Sequence, residues 1–308
     1  MKFAMKTKFS FFITSLLLAP WTVPAHPAGT SSENLEKVLA LRDHEDLQTR
    51  GDKLPRAQTF YGTTPGVTSP ASMGWFRSYV ATPNALAVNQ QTFNYQCFWG
   101  SAALLPKFAQ WISFDALWKT NIAAIQKQQN YLITINNVTR NINDVIRDKI
   151  LLVSEQDKVD ARLILAVMMQ ESTGKLDVAC TGVANCGIMQ GPPGSKPYNP
   201  STPLMSIEAM IRSGVEGQYG SWPSGGPGIA WYLQSGATES WTGMTQAGNP
   251  YQTLRAYNSG KVCNPSNLDL TCNGGTASYV NDIANRLLGW SAWNTGIIQK
   301  QKGCPNNY

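Results

Sequence analysis

This sequence predicts a mainly α-helical fold, and three observations carry that expectation. From Ser113 onward, apolar residues recur at helical rather than alternating spacing. The helical stretches are separated by loops rich in Gly or Pro, at residues 191–203, 220–228 and 264–276. There is no run of alternating strands and no dinucleotide-type glycine fingerprint after a strand. The expected organisation is a secretion signal over residues 1–25, an irregular N-terminal extension over 26–112 packed on the domain, and a helical domain over 113–308.

The signal is read from Lys2, Lys6 and Lys8 with no acid among them, the apolar run from Phe9 to Pro20, and small residues around Val23-Pro24-Ala25. That run is too short to span a bilayer, and no later stretch is long and apolar enough. The expected location is therefore extracellular, with no membrane contact once the signal is removed. Losing its three lysines lowers the formal charge from +6 to +3. A mild positive balance without any run of Lys and Arg suits contact with neutral or anionic glycans and argues against nucleic acid.

In the extension, residues 31–50 are charged and helix-capable, with Thr30 and Glu33 spaced as a capping box. Residues 51–83 are rich in Gly, Pro, Ser and Thr with scattered Trp75, Phe76 and Tyr79, which reads as irregular structure. A cleaved pro-segment over residues 26 to about 60 is an equal reading.

The domain opens with Ser113-Phe114-Asp115-Ala116, and Leu117, Ile122, Ile125 and Leu132 predict a helix packed on one face. Val145, Ile146, Ile150, Leu151 and Val153 continue the helical pattern. Ser154-Glu155-Gln156-Asp157 reads as the turn into the next helix, which carries the apolar stretch from Leu163 to Met169. Further short helices are expected at 207–215, 228–233, 251–257 and 279–288.

Six cysteines in an exported chain read as three disulfides, with Cys180–Cys186, Cys263–Cys272 and Cys97–Cys304 the preferred pairing. A zinc site is disfavoured, since no pair has Cys-x2-Cys spacing and the histidines are His26 and His44 alone. Asn137-Val138-Thr139 makes Asn137 a glycan acceptor in a eukaryotic source.

Glu171 ends the apolar helix and is followed by Ser172-Thr173-Gly174. A carboxyl there can be held partly desolvated, which keeps a proton available for general-acid chemistry. Cleaving a glycosidic bond needs such a proton, delivered to a poor leaving oxygen.

Four ordered pieces surround that residue: Ile164-Leu165-Ala166-Val167-Met168-Met169-Gln170-Glu171-Ser172, Gly187-Ile188-Met189-Gln190, Ala256-Tyr257-Asn258-Ser259-Gly260, and Tyr279-Val280. Together they resemble the goose-type lysozyme and lytic transglycosylase superfamily, over about residues 143–290. The resemblance implies a lysozyme-like helical domain with a cleft for a β-1,4-linked amino-sugar chain, and no metal or organic cofactor. It implies that Glu171 is the general acid, and that Ser172 hydrogen-bonds near the catalytic group or the substrate's acetamido group. Gln190 would be a cleft-floor glutamine with Met189 packed beneath it. Tyr257 and Asn258 would be the family's tyrosine-asparagine pair, the tyrosine hydroxyl directed at the catalytic carboxyl.

Goose-type lysozymes place aspartates in the loops after their glutamate, whereas here Asp177 is the one acid between Ser172 and Gln190, and Cys186 precedes Gly187. Asp177 is the candidate second acid, with Glu208 and Glu216 as alternatives in helical surroundings. The departure favours the transglycosylase route, in which one glutamate acts as acid and then base and leaves a 1,6-anhydro product. Trp222, Trp231, Tyr232 and Trp241 lie in or beside Gly-Ser-Pro-rich sequence suited to a sugar-binding wall, with Trp222 and Trp231 chosen as substrate contacts. The expected partner is a polysaccharide of the peptidoglycan or chitin type, bound by a monomer. A hydrolytic muramidase or chitinase and a non-catalytic glycan-binding protein are the alternatives. Serine hydrolase chemistry is disfavoured, because His26 and His44 both lie near the expected mature terminus and no Gly-x-Ser-x-Gly elbow is placed before a helix.

Overall fold

The computed structural model describes residues 94–98 and 100–291, together with the backbone of a strand pair, β1 (Gln58–Thr59) and β2 (Gly62–Thr63). The secretion signal, any pro-segment and Cys304 lie outside the described residues. Helix makes up 48% and strand 7% of the interpretable region, so the mainly helical expectation holds. Among the described residues, no helix is long and apolar enough to cross a membrane.

Helix α1 (Phe114–Gln128) starts where Ser113 accepts a hydrogen bond from the Ala116 amide, with Asp115 in the first turn and Lys127 in the last. It buries Phe114, Leu117, Trp118, Asn121, Ala124 and Ile125. The helix stops before Leu132, which the periodicity had included. Leu132–Ile135 (β3) pairs antiparallel with Val138–Asn141 (β4), and Ile135 opposes Val138. Asn136 and Asn137 form the two-residue turn, both left-handed with φ 51° and 62°. Asparagine tolerates that region, and such a turn matches the twist of the paired strands. Asn137, the predicted glycan acceptor, is exposed at this tip.

Asn141 caps α2 (Ile142–Asp157), which continues through Ser154-Glu155-Gln156-Asp157. The break falls instead at Lys158, left-handed with φ 57°, and Asp160 is the true N-cap of α3 (Ala161–Glu171). The polar run from Ser154 resembled a cap but forms the last turn of α2, where its polar groups have tertiary partners: Ser154 donates to the Val159 carbonyl at 2.5 Å, and Asp157 faces Arg212 at 3.8 Å.

Every residue of α3 from Ala161 to Gln170 is buried. A helix apolar around its whole circumference must be enclosed, and α1, α2 and α7 (Tyr279–Leu287) pack against it. At its start, Asp160 accepts from the Arg162 amide and from the Arg162 guanidinium, Nη2 to Oδ2 at 2.7 Å, with both side chains almost fully buried. The described residues 94–98 and 100–112 join the same core: Ala102, Leu105, Trp111 and Ile112 are buried within it, and Phe98 packs against it.

Helix α4 (Pro203–Glu216) lies against α2 through a half-buried charge cluster. Arg212 pairs with Glu208 at 2.7 Å and Glu216 at 2.6 Å, and Lys149 pairs with Glu208 at 3.0 Å. Burial alone would raise the Glu208 carboxyl, but Lys149 and Arg212 outweigh it and hold Glu208 below the usual range. A short hairpin follows, β5 (Gly217–Gln218) with β6 (Gly226–Pro227), then α5 (Ile229–Ser235), α6 (Pro250–Ser259) and α7. The Cys180–Cys186 and Cys263–Cys272 disulfides are both present, closing loops of 6 and 9 residues' separation. The Cys97–Cys304 pairing involves a residue outside the described ones.

Two stability measurements check this account. Asp160→Ala removes a cap and leaves Arg162 buried without its carboxylate, so chemical denaturation should show a loss of about 3–5 kcal/mol. Asp269 is pushed up to about 6 by burial, opposed by Arg255 and reinforced by Asp282. Its stabilising contribution is therefore fully present below pH 3.8 and lost as pH rises through about 6. Asp269→Asn should gain stability relative to the wild type between pH 4 and pH 7, read from melting temperatures at both; a constant difference would contradict this.

Candidate active site

Glu171 is the last residue of α3, and there the enclosing layers open into a cavity of about 970 Å³. The loop after α3 contributes Thr181, Asn185 and Gln190, the α6 end Tyr257 and Asn258, and the β5–β6 hairpin Trp222. Among the described residues lining it, Glu171 is the one carboxylate and Lys261 the one cation.

The Glu171 carboxyl accepts a hydrogen bond on Oε1 from the Tyr279 hydroxyl at 2.5 Å. Tyr279 opens α7 and is buried. The expected partner, Tyr257, instead donates to the Met189 carbonyl at 2.8 Å while its ring lines the cavity. Both phenols are pushed well above the ordinary tyrosine value, first by burial and then by the Glu171 charge. Each therefore keeps its proton and acts as a donor.

Ser172 does not line the cavity. It is buried, with Oγ 2.7 Å from the Ile188 carbonyl that accepts from it, and it accepts from the Gly174 amide at 3.0 Å. Its work is to tie the α3 terminus to the Gly187–Gln190 turn. Gln190 does line the cavity, left-handed with φ 46°. Its amide donates to the Gly187 carbonyl at 3.0 Å and accepts from the Thr181 hydroxyl at 2.6 Å, so it braces the loop closed by Cys180–Cys186. Met189 is fully buried beneath this turn and absent from the cavity wall. Asn258 accepts from the Thr276 amide at 2.8 Å and from Arg255, holding the end of the 264–276 loop against α6.

Asp177 is 79% exposed, 3.5 Å from Lys175, and outside the cavity wall. Glu208 and Glu216 belong to the α2–α4 charge cluster and also lie outside it. The site thus presents a single carboxyl where a two-acid glycosidase would present two.

Trp222 is 63% exposed at the cavity rim. Its hairpin turns so tightly that a Cβ on Gly225 would stand 2.2 Å from the Tyr219 carbonyl oxygen, so only glycine fits there. Trp231 is a core residue, 3% exposed, and backs the wall rather than forming it. Its ring stacks on Trp241 at 5.6 Å and 20°, and Trp241 faces the cavity. A helical α5 places Trp231 inward, while Trp241 comes from a single 3-10 turn, Ser240–Thr242, too short for periodicity to report its orientation. Among the described residues, no cluster of three His, Cys, Asp or Glu is arranged to hold a metal.

Tyr279→Phe removes a donor from Glu171, whereas Tyr257→Phe frees a carbonyl of the Met189 turn. If Glu171 is the general acid that the motif resemblance implies, turnover of a glycan should fall more in Tyr279→Phe, by about 5- to 50-fold for a charge-assisted hydrogen bond. A greater loss in Tyr257→Phe would reverse the assignment of the two tyrosines.

Compared with protein-family models, curated proteins and solved structures, the chain matches none.

Proposed function

We propose that this protein is a secreted, glycan-cleaving enzyme of lysozyme-like fold, acting on β-1,4-linked N-acetylated amino sugars, with Glu171 as general acid. The observation that carries the reading is the convergence of Glu171, Gln190, Tyr257 and Asn258, from three separate motifs, on one cavity that contains no second carboxyl among its described lining. A carboxyl at the end of an enclosed helix, beside aromatic rings, suits proton donation to a bound sugar chain.

The lone carboxyl favours a one-acid route. Glu171 gives its proton to the glycosidic oxygen as the C1–O bond breaks, and the substrate's acetamido oxygen stabilises the anomeric carbon. The resulting carboxylate then takes the proton of the C6 hydroxyl while that oxygen bonds to C1, yielding a 1,6-anhydro sugar and restoring the acid. No water is consumed. Peptidoglycan is the substrate the motif resemblance implies, with chitin-type chains as the close alternative, and Trp222 and Trp241 are the rings for pyranose faces.

Purified cell-wall glycan and chitin hexamer incubated with the protein should give products lighter than the hydrolytic ones by one water, read by mass spectrometry. Glu171→Gln should cut the rate by about 10²- to 10⁴-fold while leaving folding intact. Fully hydrated products would replace the one-acid route with hydrolysis. Unchanged turnover in Glu171→Gln would remove Glu171 from the chemistry, and no cleavage of either glycan by the wild type would leave a binding protein.

A further inference from the structure

The extension contributes a short extended segment, Tyr95–Phe98, that is gripped along one face of α7. Asn281 and Asn285 stand one helical turn apart on that face. Asn285 accepts from the Gln96 amide at 2.7 Å and donates to the Gln96 carbonyl at 2.7 Å, so one side-chain amide satisfies both backbone groups as a neighbouring strand would. Asn281 accepts from the Phe98 amide at 2.8 Å and donates to the Tyr95 hydroxyl oxygen at 2.8 Å.

Tyr95 carries the contact inward. Its hydroxyl donates to Asp282 Oδ1 at 2.5 Å, and its ring meets Trp290 edge-on at 5.0 Å. Asp282 is fully buried, and its other oxygen accepts from Ser278 at 2.8 Å and from the Gln170 amide at 3.3 Å. Gln170 also accepts from Arg286 Nε at 2.9 Å. It directly precedes Glu171 in α3, and Tyr279, which donates to Glu171, shares the first turn of α7 with Asp282. Two adjacent residues of α3 are thus held by two residues of one turn of α7, and the second hold is completed by Tyr95.

We propose that Tyr95–Phe98 is a positioning strap: by fixing Asp282 and the α7 face, it sets the Tyr279 hydroxyl on Glu171, with Tyr95 and Asn285 as positioning residues for the site. Their catalytic consequence rests on the glycosidase reading, while the strap's hold on Glu171 does not. Tyr95→Phe deletes the hydroxyl and keeps the ring on Trp290; Asn285→Asp keeps the volume and loses the donor to Gln96. The readouts are the carbon-13 titration of the Glu171 carboxyl and glycan turnover, in the full chain, with Tyr279→Phe for comparison.

The titration midpoint should move upward in Tyr95→Phe, Asn285→Asp and Tyr279→Phe, since each weakens a hydrogen bond that favours the ionised carboxyl. Adding Tyr95→Phe to Tyr279→Phe should move it no further, because both act through the same bond. For a cleaving enzyme, kcat should fall about 3- to 10-fold in Tyr95→Phe with KM unchanged. A wild-type midpoint in both strap variants, or a Tyr95→Phe shift of full size in the Tyr279→Phe background, would overturn the strap. A wild type that cleaves no glycan would sink the glycosidase reading, and the titration would still decide the strap.

Discussion

The structure depends on the complete enclosure of α3. Its residues from Ala161 to Gln170 are buried on every side, so the helix has no solvent face along which it can slide or rotate without opening the core. Polar groups are tolerated only at its ends. At the start, Asp160 and Arg162 satisfy each other. At the finish, Gln170 joins Asp282 and Arg286, Glu171 meets Tyr279, and Ser172 holds the Ile188 carbonyl. The position of Glu171 is therefore inherited from the packing of the whole helix.

Around that fixed carboxyl, the polar side chains near the cavity mostly bond protein backbone. Gln190, Tyr257 and Asn258 each hold a turn or a loop end, at Gly187, Met189 and Thr276 respectively. A site whose own walls absorb its hydrogen bonds is preorganised in shape. Facing the cavity beside them are the Glu171 carboxyl, Lys261 and aromatic surface from Trp222, Trp241 and Tyr257. That division, with polar bracing behind and rings in front, is compatible with the proposed sugar chain and its apolar pyranose faces.

Much of this was legible in the sequence, for reasons that differ by residue. The helices were readable because their apolar positions follow one period, and the Cys180–Cys186 and Cys263–Cys272 pairs because short separations favour closure. The β3–β4 hairpin was missed although its signal was present: Asn136-Asn137 between β-branched residues is a two-residue turn. The last turn of α2 was misread because Ser154 and Asp157 carry cap chemistry that tertiary partners redirect. Tyr279 and Trp241 were both named from the sequence, but not that Tyr279 rather than Tyr257 bonds Glu171, nor that Trp241 rather than Trp231 lines the cavity. Each choice depends on how α6, α7 and the short 3-10 turn Ser240–Thr242 are oriented about the cavity, which spacing along one chain does not encode.

The central claim is that the Glu171 carboxyl faces the scissile oxygen of an amino-sugar chain seated in this cavity. The most direct measurement is a crystal structure of the Glu171→Gln protein with a chitooligosaccharide or a cell-wall glycan fragment. A glycosidic oxygen within about 3 Å of the residue 171 side chain, with pyranose rings against Trp222 or Trp241, is the result this account predicts. A saccharide bound elsewhere on the surface, leaving the cavity to solvent, would contradict it.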